Sequence, residues 1–332
     1  MRRHHRTRHP LLLIILVLTI ILYACGSATI QTSTQETENI TESNNLPEAG
    51  ESEENIKNET GQERDSETSL NVRNANLDLG DSLEYVLEKL GKPGRIVETE
   101  YDFEYYIFNN DYKRLLFVAI KDNQVVGYYT DSLDFNYQGI QSGSSLTDVN
   151  SFLHTDYALE EVIEHTAKKY TLWILIDKLD TGKVTGVYLL SKDVKIDKYT
   201  KAASRAIELI SLDLTNSIRK RNQLPVLSWS SSAALAARKH SADMAKNNFF
   251  DHKNPKRETP GMRLKSEGIF YTTCGENIIS GYGTSIFSCH AWFNSKGHRK
   301  NMLNPNFRSL GVGFVYDKKS TSKTYMTQNF FK

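Results

Sequence analysis

The sequence predicts an α+β protein built as two folded units behind an export segment. Three observations predict it. Apolar residues recur three and four apart in several stretches, as in amphipathic helices, and short Val-, Ile-, Tyr- and Phe-rich runs between them end in turn residues, as strands do. A chain of 332 residues exceeds one ordinary domain. Charge also changes sign along it: residues 26–70, 71–198 and 199–332 carry net charges of −9, −7 and +13.

At the start, residues 1–24 place Arg2, Arg3, Arg6 and Arg8 ahead of an apolar run from Leu11 to Ala24. As a helix that run spans about 21 Å, short of a hydrocarbon core of about 30 Å. A basic segment followed by a short apolar one reads as an export signal and speaks against a cytoplasmic location. Leu22-Tyr23-Ala24-Cys25 resembles a bacterial lipobox, in which Cys25 would be lipidated as the first mature residue and anchor the chain to the membrane. Cleaved secretion and an uncleaved anchor are the alternatives. Residues 25–70 are acidic and, from Gly26 on, contain no aromatic residue. Such a composition buries too little apolar surface to offset ordering entropy, so a disordered tether is expected, reaching about 35–40 Å.

Residues 71–198 contain an internal repeat. Gly80-Asp81-Ser82-Leu83 with Val86 and Leu90 matches Gly143-Ser144-Ser145-Leu146 with Val149 and Leu153 at a constant offset. Each copy reads as a capped helix followed by strands, at 105–108, 115–120 and 124–129 in the first and 170–176 and 183–190 in the second. Turns fall at Asp122-Asn123 and Asp180-Thr181-Gly182. His154 and His165 are isolated, and no group of residues here suggests chemistry. A packing or partner-binding role is expected.

Residues 199–332 begin with an amphipathic helix over 203–223, where Ile207, Ile210, Leu214 and Ile218 form one stripe. A second helix follows over 230–248 with Ser230 or Ser231 as N-cap. A short third helix starts near Thr259-Pro260 and stops at Gly268. Cys274-Gly275-Glu276-Asn277-Ile278 opens a strand, residues 284–294 form another helix, and two strands at 310–314 and 324–331 flank a polar hairpin. Trp229, Phe249 and Trp292 read as core aromatics.

In this order, His240-Ser241-Ala242-Asp243-Met244, residues Phe249 to His252, Gly275-Glu276-Asn277, Trp292, Gly297-His298-Arg299, Gly311-Val312-Gly313 and Gln328-Asn329-Phe330 resemble the bacterial branch of the CAP superfamily (cysteine-rich secretory protein, antigen 5 and PR-1; SCP-like). Residues 71–198, with Leu90-Gly91-Lys92-Pro93, are similar to the CAP-associated N-terminal domain of some Gram-positive secreted proteins. The resemblance implies an α-β-α sandwich with an antiparallel sheet between helical layers.

It also implies a cavity. His252 matches the family's first histidine, Glu276 its acid and His298 its second histidine, with Asn277 beside them in the ligand-binding set. The second acid is missing from Trp292-Phe293-Asn294-Ser295-Lys296, where Asn294 could stand as a neutral partner. Two imidazoles and a carboxylate are a ligand set for a divalent metal such as zinc, and the same groups suit acid–base work. A purely structural network is the third reading. His240 reads as a surface or network residue, and His290 stays open. Cys274 and Cys289 form an even pair in an exported domain, which favours a disulfide worth about 3 kcal/mol over two buried thiols.

Charge points to partners. The basic unit should favour anionic cell-wall polymer, such as teichoic acid, or lipid headgroups, or else receive the acidic unit on its surface. Nucleic acid is not expected behind an export signal. The leading expectation is therefore an extracellular, surface-tethered, non-enzymatic binding module. The alternatives are a metal-assisted hydrolase acting on protein or peptidoglycan through His252, Glu276 and His298, and an envelope-assembly role with a protein partner bound through 71–198.

Overall fold

The computed structural model describes residues 66–196 and 198–332. The export signal, Cys25 and the tether up to residue 65 lie outside the described residues. The tether was expected to run to residue 70, but its end joins the fold: Leu70 is fully buried in the first strand and Thr68 hydrogen-bonds Asp78 at 3.1 Å. Among the described residues no helix is long and apolar enough to cross a membrane.

The first unit runs β1 (Leu70–Val72), β2 (Ala75–Leu77), α1 (Leu83–Leu90), β3 (Arg95–Glu98), β4 (Glu104–Phe108), β5 (Leu116–Lys121), β6 (Gln124–Thr130), β7 (Asn136–Tyr137), β8 (Ile140–Gln141), α2 (Leu146–Leu153), β9 (Val162–Thr166), β10 (Tyr170–Asp177) and β11 (Lys183–Ser191). Seven of these strands form one antiparallel sheet in the order β3-β4-β5-β6-β11-β10-β9, and β2-β1-β7-β8 form a small second sheet. The sequence reading missed β3, β9 and the small sheet, whose strands are too short to show a period of two.

The repeat is visible in the hydrogen bonds. Ser82 caps α1 by accepting from Tyr85 N–H, and Ser145 caps α2 by accepting from Asp148 N–H in a reciprocal capping box. In the first copy Gly80 N–H donates to Val125 O and Val125 N–H to Asp81 O, both at 2.8 Å. In the second, Gly143 N–H donates to Val184 O and Val184 N–H to Ser144 O, both at 2.9 Å. The copies meet where β6 pairs with β11.

The second unit runs α3 (Lys201–Arg221), β12 (Ser228–Trp229), α4 (Ser231–Asn247), α5 (Pro260–Ser266), β13 (Cys274–Ser280), α6 (Ser285–Phe293), α7 (Lys296–Met302), β14 (Ser309–Tyr316) and β15 (Thr324–Phe331). Its sheet has the order β12-β14-β15-β13, antiparallel except for the short β12–β14 pair. Ser230 and Thr259 cap α4 and α5, with Pro260 opening α5. The α-β-α sandwich is present. On one face α4 presses onto β14 at Gly311 and Gly313, where a Cβ would stand 2.2 Å from Ala234 N and 2.0 Å from Arg238 N. On the other, Gln328 donates to Ser211 and Thr215 of α3, and Leu310, Val312 and Phe330 share a core with α3 and α6.

The two units share that core. Tyr105, Phe117, Tyr129, Leu175 and Tyr188 of the seven-stranded sheet pack with Ile207, Ile210 and Leu214 of α3 and Ile286 of α6. Ion pairs cross the same joint: Arg221–Asp131 at 2.9 Å and Arg95–Asp213 at 3.0 Å. The acidic unit thus docks on the basic one, and apolar burial does most of the work.

The expected Cys274–Cys289 disulfide is not formed; both cysteines are buried and no bond joins them. The sheet separates them. Cys274 packs with Ala233, Ala236 and Leu264 under α4 and α5, whereas the Cys289 thiol lies 3.3 Å from the Ser211 hydroxyl on the α3–α6 side. Burial pushes the Cys289 thiol up to about 12, so its reactive thiolate is suppressed. Excess reductant should leave the thermal midpoint unchanged; a drop of several degrees, as loss of a native disulfide would cause, would show that the two cysteines are joined after all.

Candidate functional site

The site is built on the alternation of β13. Cys274, Glu276 and Ile278 face the α4–α5 layer, while Asn277 faces α3 and α7. The Glu276 side chain is 1% exposed. Its Oε1 accepts from His252 Nδ1 at 2.9 Å, and its Oε2 accepts from Arg263 at 2.7 Å. Asn329 of β15, with its amide turned to satisfy both neighbours, donates to the same Oε2 at 3.0 Å and accepts from Ala237 N–H at 3.3 Å. His240 of α4 stands behind, its Nε2 3.8 Å from Oε1.

This surrounding decides the charge of Glu276. Burial raises a carboxyl pKa, but the Arg263 guanidinium, the His252 hydrogen bond and His240 together hold it below the ordinary value. Glu276 is an ionised, fully partnered carboxylate. His240 is driven down, chiefly by burial. Its Nε2 lies 3.0 Å from the carbonyl of Asp251, so Nε2 carries the proton and donates, and the buried Nδ1 is left with no partner.

His298 sits in the first turn of α7. Its Nδ1 is 2.8 Å from the Ser295 hydroxyl, at the N-cap position, and so Ser295 makes no side-chain bond to the helix backbone. Burial first, and then the neighbouring His252, push His298 down to about 4, which keeps it neutral at physiological pH. His252 is thus near enough to His298 to act on its charge, but His298 makes no hydrogen bond to Glu276 among those of the described residues.

Asn277 is not in the cavity. Its amide donates to His298 O at 3.3 Å and to Gln328 Oε1 at 3.1 Å, while Asn301 donates to its oxygen at 2.9 Å. It braces α7 against the sheet from the opposite face. Asn294, read as a neutral partner in the cavity, bonds the first unit instead: its oxygen accepts from Lys178 N–H and its amide donates to Ile176 O. His290 is also at that joint, its Nε2 donating to Glu161 O at 2.7 Å, and burial pushes it down to about 4.

Among the described residues, no three His, Cys, Asp or Glu side chains are placed to hold a metal ion. The donors around Glu276 give the reason. Both its oxygens are occupied, one by a guanidinium whose positive charge would repel a cation. His252, Glu276 and His298 thus do not fit the three-ligand zinc centre that was one of the readings their residue types allow. Sequence reasoning missed Arg263 and the donor role of Asn329. A signal for Arg263 was present: it lies three residues after Pro260 and beside Leu264, both buried, so a cation occupies the apolar face of a short helix.

Two family models match the chain: the cysteine-rich secretory protein family over residues 212–330, and the CAP-associated N-terminal family over residues 79–173. The chain is 30% identical over 293 residues to the uncharacterized membrane protein YlbC of Bacillus subtilis, covering 76% of this chain and 82% of that protein. It is 44% identical over 110 residues to the uncharacterized protein YkwD of the same organism, covering 33% of this chain and 43% of YkwD. Among solved structures it resembles an extracellular protein containing an SCP domain from Bacillus anthracis, with a TM-score of 0.65 and 27% identity, covering 83% of this chain and 99% of that one.

Proposed function

Because the chain belongs to the cysteine-rich secretory protein (CAP) family, we propose that it is an extracellular, envelope-held binding module, and that it captures an anionic wall polymer or lipid headgroup rather than turning over a substrate. The observation that carries this reading is the Arg263–Glu276–His252 arrangement. A hydrolase using this site would need Glu276 as a base or metal ligand, and each of its oxygens is already hydrogen-bonded and its charge already paired with Arg263. What the site offers outward is two imidazoles, in a unit of net charge +13. The descriptions of YlbC as a membrane protein and of the Bacillus anthracis relative as extracellular support the location. Lipidation at Cys25 would hold the module at the membrane. The aromatic sheet face of the acidic unit is covered by the chain's own α3 and α6, so a protein partner of that unit would bind elsewhere on it.

Retention on isolated cell walls and on phosphatidylglycerol vesicles tests the reading. Binding should weaken at least tenfold between about 0.05 M and about 0.5 M salt, as the Debye length shrinks. Binding that ignores salt, or release of peptides or muropeptides that His298→Ala abolishes, would overturn it.

A further inference from the structure

The helix that carries His298 is held from behind by the companion unit. Asn294, between α6 and α7, accepts the backbone N–H of Lys178 at 2.8 Å and of Leu179 at 3.2 Å on its side-chain oxygen. Its amide donates to Ile176 O at 3.0 Å. Arg299, the residue after His298, pairs with Asp177 through both terminal nitrogens and stacks on Phe293, its guanidinium carbon 3.8 Å from the ring centroid. The end of β10 and the turn that follows it are therefore seated on residues at both ends of the link into α7. On the site side, α7 is tied to β13 by Asn301, which donates to Glu276 O at 3.1 Å and to Asn277 Oδ1 at 2.9 Å.

The residue type at 294 matters. An amide can accept two N–H groups and donate to a carbonyl at once; a carboxylate could accept but would face Ile176 O with no proton to give. At the place where the resemblance puts the family's second acid, this chain carries the side chain that an interdomain latch needs. Arg299 extends the latch, since a guanidinium engages a carboxylate with two nitrogens and a ring face at the same time.

We propose that the companion unit is the positioning element of the CAP site: residues 176–179 seat on Asn294 and Arg299, fix α7, and so hold His298 beside His252. Asp177, Asn294 and Arg299 are then positioning residues, and partners that pull the two units apart would also disorder the site. The inference concerns α7 alone and does not require the ligand to be anionic.

Hydrogen exchange on the full chain tests it without any ligand. Asp177→Asn keeps an acceptor for the Asp180 N–H that Asp177 holds at 3.1 Å but removes the charge that engages Arg299. Amides of α7 should then exchange about tenfold faster, the effect of losing one charge-assisted hydrogen bond. Those of β13 and β15 should be unchanged, and the side-chain amide resonances of Asn277 and Asn301 should shift. If Asp177→Asn fails to fold cooperatively, Asn294→Asp decides, because it keeps the two accepted bonds and loses the ones donated to Ile176 O and His290 O. Unchanged α7 exchange in either variant would overturn the proposal. So would faster exchange spread evenly through the chain, which is the mark of a merely structural contact.

Discussion

Replacing Arg263 with methionine should cost about 3–5 kcal/mol of stability, the range for stripping one partner from a buried ion pair. The cost comes from what is left behind. Glu276 is 1% exposed, and without the guanidinium its charge keeps only His252, His240 and Asn329. Its carboxyl should rise from below the ordinary carboxylate range to above it, as burial takes over. In the intact protein the depressed pKa means that the stability Glu276 contributes is present above the unfolded value of about 4.5. It is lost as pH falls through the lower folded value. In Arg263→Met the sign reverses, and stability should improve on acidification toward pH 5. The double variant Arg263→Met with Glu276→Gln should recover most of the loss, because no buried charge remains. Urea unfolding of the single and double variants measures the cycle. A single variant within about 0.5 kcal/mol of the parent would show that Arg263 does not compensate Glu276.

Glu100→Gln should stabilise the protein by about 3 kcal/mol at pH 8. Glu100 lies between β3 and β4, only 5% exposed, and burial pushes it up to about 7. Its charge in turn helps to raise the neighbouring phenols of Tyr101, Tyr105, Tyr188 and Tyr199, so all four stay neutral beside it. A carboxyl raised from about 4.5 to about 7 binds its proton more tightly in the folded chain. Its contribution is whole below pH 4.5 and is lost as pH rises through 7, leaving a penalty near 3 kcal/mol above it. Glutamine keeps the shape and carries no charge, so the gain should appear at pH 8 and vanish near pH 4.5. His290, pushed down to about 4, has the opposite slope. It is present in both proteins and drops out of the difference. Equal unfolding midpoints at pH 8 would refute the assignment.

Several features were readable because they are local. The caps Ser82, Ser145, Ser230 and Thr259 satisfy backbone N–H groups within three residues, and the stripe of α3 repeats within two turns. The repeat was readable for the same reason, since each copy folds the same short pattern. The pairing of His252 with Glu276 came from the ordered motifs rather than from any local rule, and the 2.9 Å bond agrees with it.

The misreadings share one cause. Cys274 and Cys289 are close in sequence, but a strand and a helix carry them to opposite faces of the sheet, and loop length says nothing about faces. Asn277 turns away from Glu276 because neighbours on a strand alternate. Asn294 and Arg299 gain their meaning only from Asp177 and the backbone near it, more than a hundred residues earlier. The sequence by itself determined the family, the order of its helices and principal strands, and the opposed charges of its two units, since these rest on composition and short-range periodicity. Only the tertiary structure decided that Arg263 neutralises Glu276 and that the companion unit grips the helix of His298. Those depend on which faces meet when the sheets and helices pack, and burial of apolar surface settles that between residues far apart in the chain.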